Sequence, residues 1–267
     1  MSSLLVRPQN PDAQGKILEV TPESAGWEHV GFRVHKLPKG EKVSWQTGDR
    51  EECLVLLTGC ATIACGNEAW ENIGDRMDVF EKKRPYAVYF PNDTSYSVEA
   101  VTDLEVAVCS APGKGSYKAR LIAPEQINSA TRGEGSNVRH VHDILPETEE
   151  ADGLLVVEVY TPAGNWSSYP PHKHDQDNLP HESQLEETYY HLLNPSQGFA
   201  LHRVYTDDRS LDETMAVEHG NCVLVPRGYH PVGAPHGYEL YYLNVMAGPK
   251  RVWKFHNDPD HEWMLKQ

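Results

Sequence analysis

The chain has 267 residues, with 24 lysines and arginines against 39 aspartates and glutamates, giving a formal net charge of −15. Charged residues at 24% and apolar residues at 39% fit a folded globular protein with ample chain for a core, and exclude a disordered one. So acidic a surface repels phosphate backbones, which argues against nucleic acid as a partner.

No run approaches the roughly 20 apolar residues of a membrane-crossing helix. The opening Met1 to Pro8 lacks the apolar stretch of a signal peptide. The five cysteines (Cys53, Cys60, Cys65, Cys109 and Cys222) are scattered, with no CxxC pair. Free thiols and a cytoplasmic location are therefore expected, with no membrane partner.

In chain order, the sequence predicts short strands over 53–57, 86–90, 105–109 and 154–160, then over 188–193, 199–205, 222–225 and 238–245. These segments are rich in β-branched and aromatic residues and are bounded by Gly, Pro, Asn and Asp. Helical periodicity is confined to Ala123 to Ile127 and the tail after Arg251. Many short strands without a helix after each one predict an all-β protein of sandwich, barrel or jelly-roll type.

The two halves repeat one pattern. Glu51-Glu52 opens a strand that ends at Gly59, and Glu186-Glu187 opens one that ends at Asn194. Each is followed by further strands, one of which ends at a proline, Pro91 or Pro226. Two copies of one β unit are expected, over 1–125 and 126–267, with the joint in the polar stretch from Pro112 to Glu150.

Of 14 histidines, only His29 and His35 precede His140, whereas ten fall between His172 and His261. Imidazole is the commonest metal ligand and acid–base group, so the chemistry is expected in the second half. Residues two apart on a strand face the same way, so His172 and His174 can converge. Glu187 opens the next strand, and His230 follows the Pro226-Arg227-Gly228 turn. Three imidazoles and a carboxylate suit one divalent metal ion per chain (Zn, Mn or Fe), with positions left open for a substrate.

Gly164, His172, His174, Glu187, Gly220, Pro226, Gly228 and His230 together resemble the two motifs of the cupins, small antiparallel β-barrels that hold one metal with such a set. Two departures stand out. The stretch from Asp175 to Glu186 is longer than usual, and only Tyr229 separates Gly228 from His230. The insertion, with Pro180, His181 and Glu182, is expected to form a lid. It leaves Glu186 and Glu187 as alternative ligands, and the spacing to Asn194, equal to that from Glu52 to Gly59, favours Glu187.

His172-Lys173-His174-Asp175, Leu185 to His191, Val225 to Pro231 and Leu240 to Gly248 narrow the resemblance to the KduI/IolB isomerase family of bicupins. That family includes the 5-deoxy-glucuronate isomerases and the related uronate isomerases of pectin breakdown. The resemblance implies a bicupin that converts 5-deoxy-D-glucuronate to 5-dehydro-2-deoxy-D-gluconate in myo-inositol catabolism, and its substrate partner is then a small anionic sugar acid. Because cupins pair through strand edges, a homodimer is the default expectation.

An aldose–ketose exchange moves a hydrogen between neighbouring carbons, and a metal polarises the carbonyl oxygen. His191 and Glu187 are the candidate bases, while a direct hydride shift would need none. The substrate carboxylate calls for a bidentate arginine, with Arg203 and Arg227 as candidates. Tyr189 and Tyr242 are placed on the inward face, together with Asn244, whereas His202 and His219 are read as solvated or simply hydrogen bonded. The first half shows Ser44-Trp45-Gln46 and Thr94-Ser95-Tyr96 where imidazoles would stand. It is therefore expected to lack a metal, leaving Glu52 a hydrogen-bonded remnant. The rival readings are a cupin dioxygenase on the same site and a non-enzymatic sugar-binding cupin.

Overall fold

The computed structural model describes residues 2–266, and the chain forms two compact β units. The first comprises residues 8–128 and 143–156. Its six-stranded sheet runs in the order Arg120–Ile122, Ala87–Phe90, Arg50–Thr58, Leu104–Pro112, Gly31–Leu37 and Lys16–Val20. A four-stranded sheet runs Lys42–Gln46, Ser95–Ala100, Ala61–Cys65 and Glu68–Ile73. Alternate residues of both sheets meet in one core. Leu54, Leu56, Val88, Phe90, Val106 and Val108 come from the larger sheet, and Val43, Ile63, Tyr96 and Val98 from the smaller. Each such buried side chain contributes about 1.5–3 kcal/mol relative to exposure, which explains why this alternation fixes the register.

The second unit comprises residues 2–7, 129–142 and 157–266. Its seven-stranded sheet has the order Leu5–Val6, Cys222–Val225, Glu186–Asn194, Glu239–Ala247, Leu155–Thr161, Arg139–Leu145 and Asn128–Arg132. A four-stranded sheet runs Trp166–Ser167, Val232–Gly233, Phe199–Tyr205 and Asp212–Glu218. The inserted stretch is a small hairpin, Asp175–Asn178 against Glu182–Gln184.

Two features depart from the sequence-based expectation. The division at 125/126 moves to 128/129 and is crossed by two exchanged segments. Leu5 and Val6 pair with Val223 and Cys222, which carries the start of the chain into the second unit. In the first unit, the buried Glu51 carboxylate accepts the backbone N–H groups of Asp152, Gly153 and Leu154 at 2.6–2.7 Å, which holds 143–156 there. The helix candidates shrink to 3-10 turns, Pro124–Gln126 and Glu262–Lys266, and a one-turn α-helix, Pro22–Ala25, is added. No helix among the described residues is long and apolar enough to cross a membrane.

Candidate metal centre

The strand Glu186–Asn194 is central in the seven-stranded sheet, and its alternation puts Glu187, Tyr189 and His191 on one face. Cross-strand register sets Tyr189 opposite Asn244 and His191 opposite Tyr242, so five polar or aromatic side chains share the barrel interior. All five are buried. Glu186 points the other way and is only partly buried, which leaves Glu187 as the interior carboxylate.

His174, Glu187 and His230 bring one potential ligand atom each to within 4.8 Å of one another, and all three are buried. Nε2 of His174 lies 2.9 Å from Oε2 of Glu187, and Nε2 of His230 lies 3.3 Å from the same oxygen. The ring of His172, partly exposed, packs edge-on against that of His230 at 5.0 Å between centroids.

The other ring nitrogens explain how these imidazoles are aimed. Nδ1 of His174 is bonded to the Leu185 carbonyl at 3.2 Å, and Nδ1 of His230 to the Gly228 carbonyl at 2.8 Å. His172 is bonded to the backbone of Pro170, which can only accept. Each carbonyl calls for a proton on its nitrogen and so leaves a lone pair on the opposite one, the usual outer support of metal-bound histidine. Among the described residues, His230 Nε2 is buried and makes no hydrogen bond, with Glu187 Oε2 the oxygen nearby at 3.3 Å. Oε1 of Glu187 accepts from Asn244 Nδ2 at 2.6 Å, leaving Oε2 turned to the imidazoles. The donor set fits a divalent cation of the borderline class.

Burial pushes His230 down to about 4 and His172 well below the usual imidazole range, so both present neutral lone pairs at neutral pH. For His174, burial acts downward, but the hydrogen bond and charge of Glu187 override it and leave it raised.

Gly228 fixes the last ligand. It adopts φ +91°, and a Cβ there would collide with the carbonyl oxygen of Tyr205. Its N–H donates to Asp175 Oδ2 at 2.8 Å, while its carbonyl orients His230. Asp175 is also paired with buried Lys173, whose Nζ lies 2.8 Å from Oδ1 and 3.2 Å from both Glu182 oxygens. The inserted hairpin is thus a brace stapled to the His230 turn rather than a free lid.

The phenols lie against this cluster. The Tyr189 ring is 5.7 Å from that of His230 and 4.9 Å from that of Tyr242. Their hydroxyls bond to Ser168 Oγ, at 2.9 Å, and to Ser167 Oγ, respectively. Burial pushes Tyr242 up to about 12 and Tyr189 well above the usual phenol range, so both stay protonated donors at neutral pH.

Other expected site residues lie elsewhere. Arg203 points outward and forms a bidentate pair with Asp212 at 2.7 and 2.8 Å, and Arg227 is exposed. Neither faces the cluster. His191 sits beside Tyr189 and His202, at 5.9 and 5.3 Å between rings. Its two ring nitrogens are buried without hydrogen-bond partners among the described residues, and burial depresses it to about 3. It is a neutral group on the floor of the barrel.

Two interior residues escaped the sequence reading. His202 is wholly buried, with Nε2 3.1 Å from the His230 carbonyl oxygen. The half-buried Arg139 acts electrostatically on His172 and Tyr242. Alternation from Ala200 and Val204 could have placed His202, whereas Arg139 lies in the polar stretch read as a joint.

The fold and this cluster define the class, a bicupin with a carboxylate–imidazole centre in its second barrel. Structural likeness agrees: a Lactobacillus farciminis oxalate decarboxylase is matched with a TM-score of 0.68 at 11% identity, over 100% of this chain and 91% of that one. The chain belongs to the KduI/IolB family, whose pattern it matches over residues 4–264. A protein of Geobacillus kaustophilus named 5-deoxy-glucuronate isomerase is 64% identical over 266 residues, covering 100% of this chain and 96% of its own. The crystal structure of an IolB-like protein from Salmonella typhimurium LT2 is 51% identical, with a TM-score of 0.96, over 99% of this chain and 100% of that one. The chain is accordingly an enzyme, an isomerase.

Proposed function

We propose that the chain is a metal-dependent aldose–ketose isomerase acting on 5-deoxy-D-glucuronate, in the cytoplasmic breakdown of myo-inositol. The observation that carries the metal dependence is the convergence of His174, Glu187 and His230, with the carbonyl tethers that turn their lone pairs inward. A divalent ion held by these residues and His172 would supply Lewis-acid polarisation of the substrate's carbonyl and neighbouring hydroxyl oxygens.

The chain's own groups complete the site. Tyr189 and Tyr242, held protonated, offer hydrogen bonds to oxygens that gain negative charge as the carbonyl and hydroxyl exchange places. Asn244 orients Glu187 by donating to Oε1. The buried walls, with Tyr189, His191, His202 and Tyr242, keep bulk water from the reacting carbons.

The test is incubation of the purified protein with 5-deoxy-D-glucuronate in deuterated water. Formation of 5-dehydro-2-deoxy-D-gluconate is the expected result. Deuterium in the new hydroxymethyl group marks proton transfer through a base that exchanges with water, whereas full retention of the substrate hydrogen is the outcome of a hydride shift or of a base shielded from water. Inactivity on this substrate with turnover of the pectin-derived ketouronate would replace the substrate by that of the relative.

A further inference from the structure

An acid substrate needs a cation at its far end, and Arg203 and Arg227 do not face the site. The strand Arg139–Leu145 supplies another. Nη1 of Arg139 donates to the carbonyls of Asn137, at 3.1 Å, and Tyr169, at 3.3 Å, which fixes the plane of the guanidinium. Its Nε–Nη2 edge has no protein partner among the described residues, and no carboxylate pairs with it. The groups that act on it electrostatically are Tyr242, Tyr189 and a second guanidinium, Arg132. In a chain of net charge −15, Arg139 is a half-buried guanidinium whose protein partners are carbonyl oxygens and not a carboxylate.

The tether also sets where that charge lies. Tyr169 follows Ser167 and Ser168, whose hydroxyls bond to Tyr242 and Tyr189. One short segment therefore positions both the guanidinium and the two phenols beside the metal cluster.

We infer that Arg139 is the carboxylate anchor of the site, its free Nε–Nη2 edge taking the terminal carboxylate of a sugar acid whose carbonyl end lies at the His172, His174, Glu187 and His230 cluster. The inference rests on the isomerase reading for the identity of that acid. The planar edge matches a carboxylate through two parallel N–H···O bonds, which lysine cannot reproduce. Arg139 is thus a residue that selects uronates over neutral sugars.

The experiment compares the wild type with R139Q and R139K, each purified with its metal, on 5-deoxy-D-glucuronate and on 5-deoxy-D-glucose, in which a hydroxymethyl group replaces the carboxylate. R139Q is expected to raise KM for the uronate about 100-fold, and R139K about 10-fold, with bound metal and Tm unchanged. Turnover of the neutral sugar should stay within about twofold of wild type. Equal losses on both sugars, or an unaltered KM for the uronate, would overturn the inference. If R139Q does not fold, R139K carries the same comparison. Calorimetric binding of D-glucuronate separates this inference from the isomerase reading. Binding by the wild type that weakens at least tenfold in R139Q, without isomerisation by either protein, keeps Arg139 and discards the isomerase. Binding that is absent or equal in the two proteins discards Arg139.

Discussion

Each barrel turns one buried carboxylate toward its core near the start of a central strand, Glu52 in the first and Glu187 in the second, and the two are partnered in different ways. Glu52 meets Arg33, with Nη1 at 2.9 Å from Oε1, and accepts the hydroxyl of Tyr96. The Arg33 guanidinium in turn lies over the Trp45 ring at 5.4 Å. Glu187 meets two imidazoles and an amide, none of which carries a permanent charge. The first barrel has a cation built into its own sequence, whereas the second leaves room for one from outside. A buried carboxylate costs several kcal/mol unless it is paired, so both barrels solve the same problem, and only the second solution is exchangeable.

This contrast can be broken from either side. The largest effect is expected from His174→Ala or His230→Ala, with loss of the bound metal and a fall in turnover of at least about 1,000-fold. Metal analysis of the purified variants beside a progress curve checks it, and full metal occupancy would show that the cluster is not the binding site. In the first barrel, Glu52→Gln leaves the half-buried Arg33 without its counter-charge. It should cost about 3–5 kcal/mol in urea unfolding while bound metal stays at the wild-type level.

A third effect follows from His35 in the same barrel. The ring packs on Trp45 at 4.4 Å, and burial depresses it to about 4. Between pH about 6.5 and 4 the unfolded chain takes up a proton that the folded chain refuses, so stability falls as the pH drops through that window. The loss amounts to about 3 kcal/mol, is complete below pH 4 and is absent above 6.5. His35→Phe should flatten this acid limb in unfolding curves measured pH by pH. The smallest effect belongs to Arg203→Ala, which removes an exposed pair with Asp212. KM should stay within about twofold of wild type, and stability within about 1 kcal/mol. A large rise in KM would return Arg203 to the site.

Much of this was legible in the chain. The strand over 199–205 is found over the same residues, Phe199–Tyr205, and the one over 222–225 likewise. Glu187, Tyr189, Tyr242 and Asn244 share a face because strand alternation is a property of covalent geometry. Faces were misassigned where the outer surface is itself apolar. In Phe199–Tyr205 the exposed side carries Phe199 and Leu201, at 42% and 40% exposure, while His202 is fully buried. Hydrophobicity alone therefore turns that strand inside out and brings Arg203 inward. Arg139 was hidden for a different reason. Its strand lies between sequence neighbours, but the guanidinium is aimed by the carbonyl of Tyr169, which local composition does not reveal. The same applies to the exchanged segments: nothing in Leu5-Val6 announces a partner at Cys222.

That last pairing has a consequence for how the chain is made. Leu5 and Val6 leave the ribosome well before their partner, and the strand they join follows more than 200 residues later. At about 5–20 residues per second, the opening segment waits on the order of 10–40 s for its place in the sheet. This early segment waits for a late partner, and it lies against Cys222–Val225, the strand that leads into the turn before His230. Completion of the working barrel thus waits for late segments of the chain, and a nascent chain stalled before Cys222 would hold every strand of the first unit while the seven-stranded sheet still lacked Cys222–Val225 and Glu239–Ala247.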